Sequence, residues 1–249
     1  MPRLSAIVIT SNEAAHIAEC LHSVAFCDER IVVDCGSADA TQDLAREAGA
    51  RVSFHPFGGF GAQKNHALSL ATGDWVLSID ADERVTPALA AEIIAAISAP
   101  RADGYEMPRL SSFCGRPMRH AGWYPDHVLR LFRRGPARFS DHLVHEQVVC
   151  ERKVARLTQP LLHNPMPRLE DALMRVDRYS TAGAAALIAS GRRVWFMTGI
   201  VRGAWAFLRT YLLRAGFLDG PEGFLVAVYN AECTYYRYMK AWLAARQSR

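Results

Sequence analysis

The chain has 249 residues, half of them apolar, with 29 Lys and Arg against 25 Asp and Glu for a formal net charge of +4. That apolar share suffices for one substantial core or two small ones and excludes a wholly disordered chain. The 12 Pro and 17 Gly follow no period, which excludes a collagen-like one.

Strand and helix signals alternate through the first hundred residues. Leu4 to Thr10 is a continuous apolar run with β-branched Ile7, Val8 and Ile9, and a helical pattern follows with Ile17, Leu21 and Val24 on one face. Ile31 to Val33 reads as a second buried strand ending at Asp34. Ala40 to Ala48 reads as a helix capped by Asp39 and stopped by Gly49. A short strand is expected over Arg51 to His55, a helix over Gln63 to Ala71, and a fourth strand over Trp75 to Ile79, running into Asp80. Thr86-Pro87 opens another helix, with Thr as N-cap and Pro at the first helical position. This alternation predicts a mostly parallel sheet covered on both faces. Beyond residue 100 the pattern loosens. Tyr105 to Leu110 and Val128 to Phe132 look like strands, residues 168–190 are helical, and 194–218 and 224–246 form two further helical segments separated by Asp219-Gly220-Pro221.

Charge is divided along the chain. Residues 1–100 carry 6 basic and 13 acidic side chains, a net of −7, and residues 101–249 carry 23 basic and 12 acidic, a net of +11. Six cysteines without a CxxC pair point to reduced, buried thiols, not to zinc or a disulfide framework. The first residues lack a signal-peptide pattern, and no uncharged apolar stretch reaches the length of a transmembrane helix.

In doubly wound sheets ligands sit beyond the carboxyl ends of the strands. Ser11-Asn12-Glu13, Asp34-Cys35-Gly36-Ser37-Ala38-Asp39 and Asp80-Ala81-Asp82-Glu83 fall at those expected ends. Three acidic clusters on one edge should repel each other without a compensating ligand or cation. Asp80 and Asp82, two residues apart after a buried strand, can both reach one hard cation, and Mg²⁺ takes one or two carboxylates plus substrate phosphates. Phe57 to Gly61 is a Gly-rich loop entering a helix that carries Lys64, a possible phosphate site. Neither GxxxxGK[ST] nor an early GxGxxG occurs, so a P-loop triphosphatase and a nicotinamide dehydrogenase lose support.

These motifs, in this order and spacing, resemble family 2 glycosyltransferases of the GT-A fold. The resemblance is closer to the bacterial lipopolysaccharide inner-core β-1,4-glucosyltransferase branch, which also has counterparts of Val144-His145-Glu146, His163 and Gly216-Phe217-Leu218-Asp219-Gly220. It implies an α/β fold with a Rossmann-like nucleotide-sugar half and a UDP-sugar donor. Asn12, Glu13, Asp34 and Gly36 would lie near the nucleobase and ribose, and Lys64 and Asn65 would face the nucleotide. Asp80 would lie near ribose and metal, and Asp82 would be the principal ligand of Mg²⁺ or Mn²⁺. His163 would be a late metal ligand. The implied acceptor is a lipid-linked saccharide, the lipopolysaccharide inner core.

Inverting transfer needs a base within hydrogen-bond reach of the acceptor hydroxyl. Glu146 is the first candidate and Asp126 the second. Trp123 and Tyr124 are candidates for stacking on an acceptor sugar, and His145 for a metal or phosphate contact. Arg109, Arg116, Arg119, Arg130, Arg133, Arg134 and Arg138 suit a phosphorylated acceptor. Nucleic acid is disfavoured, since no binding signature accompanies the charge. Residues 194–218 mix Trp195, Phe196, Trp205, Phe207 and Tyr211 with Arg202 and Arg209, a composition suited to an anionic membrane surface. The expected division is a catalytic domain over 1–165, with a nucleotide-sugar half to residue 100 and an acceptor half after it, and a helical, membrane-associated region over 166–249. This places the protein in the cytoplasm, peripheral to the inner membrane. Two other classes stay open: a sugar-phosphate nucleotidyltransferase, and a catalytically silent glycan- or membrane-binding protein.

Overall fold

Four strands form the front of the sheet: β1 (Leu4–Thr10), β2 (Glu29–Asp34), β3 (Arg51–Phe54) and β4 (Trp75–Ser78). They lie side by side in the order β3-β2-β1-β4, and all their pairings are parallel. Between them run α1 (Ile17–Ser23), α2 (Thr41–Glu47) and α3 (Phe60–Leu70). The computed structural model describes residues 2–135, 137–140 and 148–247. Thr10 pairs with Asp34, and Ile7 with Ser78, so the carboxyl ends of β1, β2 and β4 meet at one edge. Strand order reverses between β1 and β4, the position at which open α/β sheets form a crevice.

The chain divides into two units: Met1–Arg109 with Asp126–His163, and Leu110–Pro125 with Asn164–Arg249. The boundary expected at 165 falls beside the last crossing, and the excursion 110–125, expected in the acceptor half, belongs with the helices. In the first unit, β5 (Glu83–Val85) and α4 (Pro87–Ser98) follow β4, and the Thr86 side chain accepts a hydrogen bond from Leu89 N, the cap expected there. Then come, along the chain, β6 (Gly104–Phe113), β7 (Arg116–Pro117), β8 (Asp126–Arg133), β9 (Ala137–Phe139), β10 (Val148–Cys150), β11 (Val154–Arg156) and β12 (Leu161–Met166), with β7 and the last residues of β6 and β12 in the second unit. Here the expectation of a mostly parallel sheet needs correcting. β8 runs antiparallel to both β4 and β6, and β12 is antiparallel to β5. No helix intervenes between β6 and β8, so nothing carries the chain back to start a parallel neighbour.

Two apolar layers enclose the front sheet. One holds Leu4, Val8, Ile17, Leu21, Trp75, Leu77, Leu89 and Ile93, and the other Ile7, Ile31, Val33, Val76 and Phe132. All six cysteines are free thiols. Burial pushes the Cys27 thiol up to about 12 and the Cys20 thiol higher still, which makes both inert.

The second unit holds α5 (Leu169–Ala189), α6 (Phe196–Leu208), a π turn over Arg209–Leu213, a 3-10 turn over Gly216–Asp219 and α7 (Gly220–Gln247). α7 starts earlier than expected, with Gly220 and Pro221 inside its first turn, where a missing N–H costs nothing. Gly203 lets α6 approach α7 closely: a Cβ there would lie 3.1 Å from Tyr235 Cβ and 3.4 Å from the Ala231 carbonyl oxygen. The large residues of α6 and its continuation face outward. Met197, Val201, Trp205, Leu208 and Leu212 recur at helical spacing, and all are exposed. Among the described residues, no helix is long and apolar enough to cross a membrane.

Candidate active site

Asp34 ends β2 and is fully buried. Its Oδ1 accepts hydrogen bonds from Gly36 N (2.9 Å), Ser37 N (2.9 Å) and Gln42 Nε2 (2.8 Å), and its Oδ2 accepts from Thr10 Oγ1 (3.1 Å) and Ser37 Oγ. Burial alone would raise its pKa, but these bonds outweigh it and hold the carboxyl below the usual carboxylate range. With both oxygens saturated, Asp34 shapes the loop after β2 and offers no free oxygen to a ligand. That loop is pinned from the other side: Asn12 Oδ1 accepts from Ala38 N (2.9 Å), Asn12 N donates to Ser37 Oγ (2.8 Å), and Glu13 N donates to Thr41 Oγ1 (2.8 Å). Gly36 has φ 105°, a left-handed conformation that a side chain would strain. Asn12, Gly36 and Ala38 are the exposed members of this group.

At the end of β4 the chain turns through Asp80 to Glu83. Asp80 takes two protein cations: Lys64 Nζ on α3 lies 2.9 Å from Oδ1, and Arg130 Nη2 on β8 meets Oδ2. Burial works against the Asp80 carboxylate, but Arg130 and Lys64 prevail and hold it far below the usual range. Arg130 also reaches Glu83 Oε1 at 2.6 Å, and Arg109 Nη1 lies 3.5 Å from the same atom. Arg109 in turn bonds Asp126 Oδ2 through Nε (3.0 Å) and Nη2 (2.6 Å). Cation and anion thus alternate through Lys64, Asp80, Arg130, Glu83, Arg109 and Asp126. Glu83 is fully buried, and Lys64 and Arg130 nearly so. The expected repulsion among acidic clusters is therefore corrected: the protein neutralises Asp80 and Glu83 itself.

Asp82 pairs with a histidine. His163 Nε2 lies 3.4 Å from its Oδ2, and both side chains are partly exposed. Among the described residues, no group of three His, Cys, Asp or Glu is arranged to hold a metal ion. A carboxylate and an imidazole do make a donor pair for a cation that takes its remaining ligands from substrate oxygens. Asp80 fits that role less well, because a third cation would meet the two already there.

Other expected residues are placed as follows. Asn65 spends its amide on the Phe139 backbone, accepting from N and donating to O at 2.9 Å each, so it docks β9 to α3. Asp126, the second base candidate, has its Oδ2 engaged by two N–H groups of Arg109, so it already has a protein partner where an acceptor hydroxyl would have to bind. Trp123, in the second unit, packs edge-on to Phe113 at 6.0 Å between centroids, and the Tyr124 ring faces the Arg119 guanidinium at 5.9 Å. Glu146 and His145 lie outside the described residues. Of the arginines expected to await phosphate, Arg109 and Arg130 belong to the ion chain, Arg133 pairs with Asp103 (3.2 Å), Arg116 pairs with Glu222 (3.4 Å) and Arg134 Nε donates to the Gly73 carbonyl (2.9 Å). Arg138 lines a cavity of about 450 Å³ with Asn65 and Ser140.

Sequence reading expected Arg130 to meet phosphate and Glu83 to belong to an acidic cluster, and missed that the two bind each other. Their signal was present: an arginine in the apolar run Val128 to Phe132 is a buried cation in need of a partner. Asp219 is a third. Read as a turn residue, it is buried and accepts from His120 N and Nδ1, each at 2.8 Å, which ties the 119–120 loop to the start of α7.

An Asp-rich, Lys-bearing edge at a strand-order reversal suits a nucleotide-sugar enzyme, and comparison with known proteins supplies the family. The family described as Glycosyl transferase family 2 matches residues 5–150. The chain belongs to glycosyl transferase family 2. A lipopolysaccharide core biosynthesis glycosyltransferase, LpsC of Rhizobium meliloti, is 33% identical over 242 residues, 92% of this chain and 87% of that protein. An uncharacterized glycosyltransferase of Rickettsia felis is 29% identical, covering 96% and 89%. Among solved structures, glucosyl-3-phosphoglycerate synthase of Mycobacterium tuberculosis, in complex with Mn²⁺, UDP and glucosyl-3-phosphoglycerate, is 25% identical over 45% of this chain and 44% of its own, with a TM-score of 0.39. The protein is a family 2 glycosyltransferase with a mixed α/β fold and a long C-terminal helix. Membership decides against the nucleotidyltransferase and the silent binding protein.

Proposed function

We propose that this family 2 glycosyltransferase is an inverting, divalent-cation-dependent enzyme that moves a hexose, glucose, from a UDP-sugar to a lipid-linked saccharide of the lipopolysaccharide inner core. The observation that carries the reading is the Asp82–His163 pair beside neutralised Asp80, at the edge where β1, β2 and β4 end. The name of the Rhizobium meliloti relative supports the acceptor.

The ribose and base would lie over the loop built on Asp34, against Asn12, Glu13 and Gly36. Lys64 is held at this edge by Asp80. Because Arg130 also neutralises Asp80, Lys64 can turn toward a diphosphate without stranding an anion. Asp82 and His163 would hold Mg²⁺ or Mn²⁺, which when bound supplies charge stabilisation to the departing diphosphate. Glu146 is assigned as the base that takes the proton of the acceptor hydroxyl, with Asp126 held by Arg109 as a positioning residue. The exposed stripe on α6, with Arg202 and Arg209, supports a second unit that rests on an anionic cytoplasmic membrane surface.

A thermal-shift panel of UDP-sugars with and without Mn²⁺ tests donor and metal together, since a ligand that binds only the folded state raises the transition. UDP-glucose with Mn²⁺ should give the largest rise, and equal shifts without the metal would remove it from the site. Glu146→Gln should keep that shift while transfer falls about 10³-fold, within the range of general base catalysis. Parallel loss of binding and turnover would make Glu146 a structural residue.

A further inference from the structure

A cavity of about 460 Å³ lies between the α5–α6 connection and the last turns of α7. Gly191, at φ 66°, ends α5 in the left-handed conformation and sends Arg192 to Trp195 alongside Ala241 to Arg246. Its apolar wall includes Ile188, Trp195 and Trp242, and its cationic groups are Arg192, Arg193 and Arg246. The lining contains no carboxylate, and among the described residues none pairs with these arginines. The Arg246 guanidinium lies 4.9 Å from the centre of the Trp242 ring, which orients it across that wall. Trp195 is 72% exposed and Ile188 51%, so the apolar wall runs out onto the surface.

Three guanidinium groups gathered at one cavity, with no carboxylate against them among the described residues, favour an anion there. An inorganic anion would leave the tryptophan wall wet, whereas an anion on an apolar stem covers both. The volume falls in the range of small-molecule sites and accommodates a headgroup with several methylenes. Arginine and tryptophan side by side are also the residues that settle at a membrane–water boundary.

We propose that this cavity binds a single anionic phospholipid. The headgroup phosphate is held by Arg192, Arg193 and Arg246, and the glycerol and first methylenes lie against Trp195, Trp242 and Ile188. The inference deepens the membrane reading above and takes from it the source of the lipid, while the site chemistry stands on its own.

The experiment uses the full chain and dihexanoyl-phosphatidylglycerol below its micelle concentration, with binding read by calorimetry. The wild type should bind it at least tenfold more tightly than either dihexanoyl-phosphatidylcholine or inorganic phosphate. Arg192→Ala/Arg193→Ala/Arg246→Ala, three exposed positions, should lose at least tenfold with an unchanged melting temperature. Trp195→Ala should weaken the lipid and leave the feeble phosphate response as it was. Equal lipid binding by the triple variant overturns the proposal, and so does phosphate binding as tight as the lipid. Sedimentation with phosphatidylglycerol vesicles separates the two readings. If the wild type binds the monomeric lipid through its arginines but does not sediment, the membrane reading falls and the lipid site stands.

Discussion

Asp82→Ala is expected to lower kcat/KM for metal-dependent transfer by at least about 10³-fold, close to 4 kcal/mol of transition-state stabilisation. The fold should hardly notice. Asp82 is partly exposed, and its contact with His163 is a long 3.4 Å. Pairs of that kind contribute under about 1 kcal/mol, so loss of this contact should move the melting temperature by about 3 °C or less. Turnover near the wild-type value would take Asp82 out of the metal site. Asp80→Asn gives the useful contrast. It removes the anion between Lys64 and Arg130, so it should lower thermal stability as well as activity.

Arg130→Met is expected to be the most damaging single change to folding. Glu83 is fully buried, with Arg130 at 2.6 Å and Arg109 farther off at 3.5 Å. Removing one partner of a buried pair leaves an uncompensated charge at a cost of about 3–5 kcal/mol. For a chain of this length that is a fall of about 10 °C in melting temperature. Arg130→Lys, which keeps the charge but not the fork that spans two carboxylates, should fall between. The double variant Arg130→Met/Glu83→Gln should recover part of the loss, because it removes the stranded anion with its partner. A melting temperature within about 2 °C of wild type for Arg130→Met would show the ion chain to be dispensable.

The front of the fold was legible because its signals are local. Ile7 to Ile9 and Ile31 to Val33 are β-branched runs bounded by polar residues, and Thr86-Pro87 announces a helix start by itself. The Asp34 loop was half legible. Asp followed by Gly and Ser two and three residues on is the pattern of a side chain that closes its own turn, and with that reading its saturation follows. The partners of Asp80 were not legible. Arg130 lies fifty residues away, and only the pairing of Leu77 with Leu131 brings it alongside. No local periodicity encodes that register. The inward face of α6 was hidden for another reason. Its small residues Gly199 and Gly203 are buried, while Met197, Val201 and Trp205 face outward. A rule that large apolar side chains point to the core reverses it.

The excursion of Leu110–Pro125 into the second unit has a consequence for how the protein is made. Phe113, Met118 and Ala121 are fully buried beside Val226 on α7. Val226 leaves the ribosome about 100 residues later, which at about 5–20 residues per second is of order 5–20 s. For that interval these side chains wait without their helical partner. The nascent chain is thus expected to be open to chaperone capture in a window bracketed by residues 125 and 226, and ribosome-bound chains stalled inside that window should recruit more chaperone than chains stalled after it.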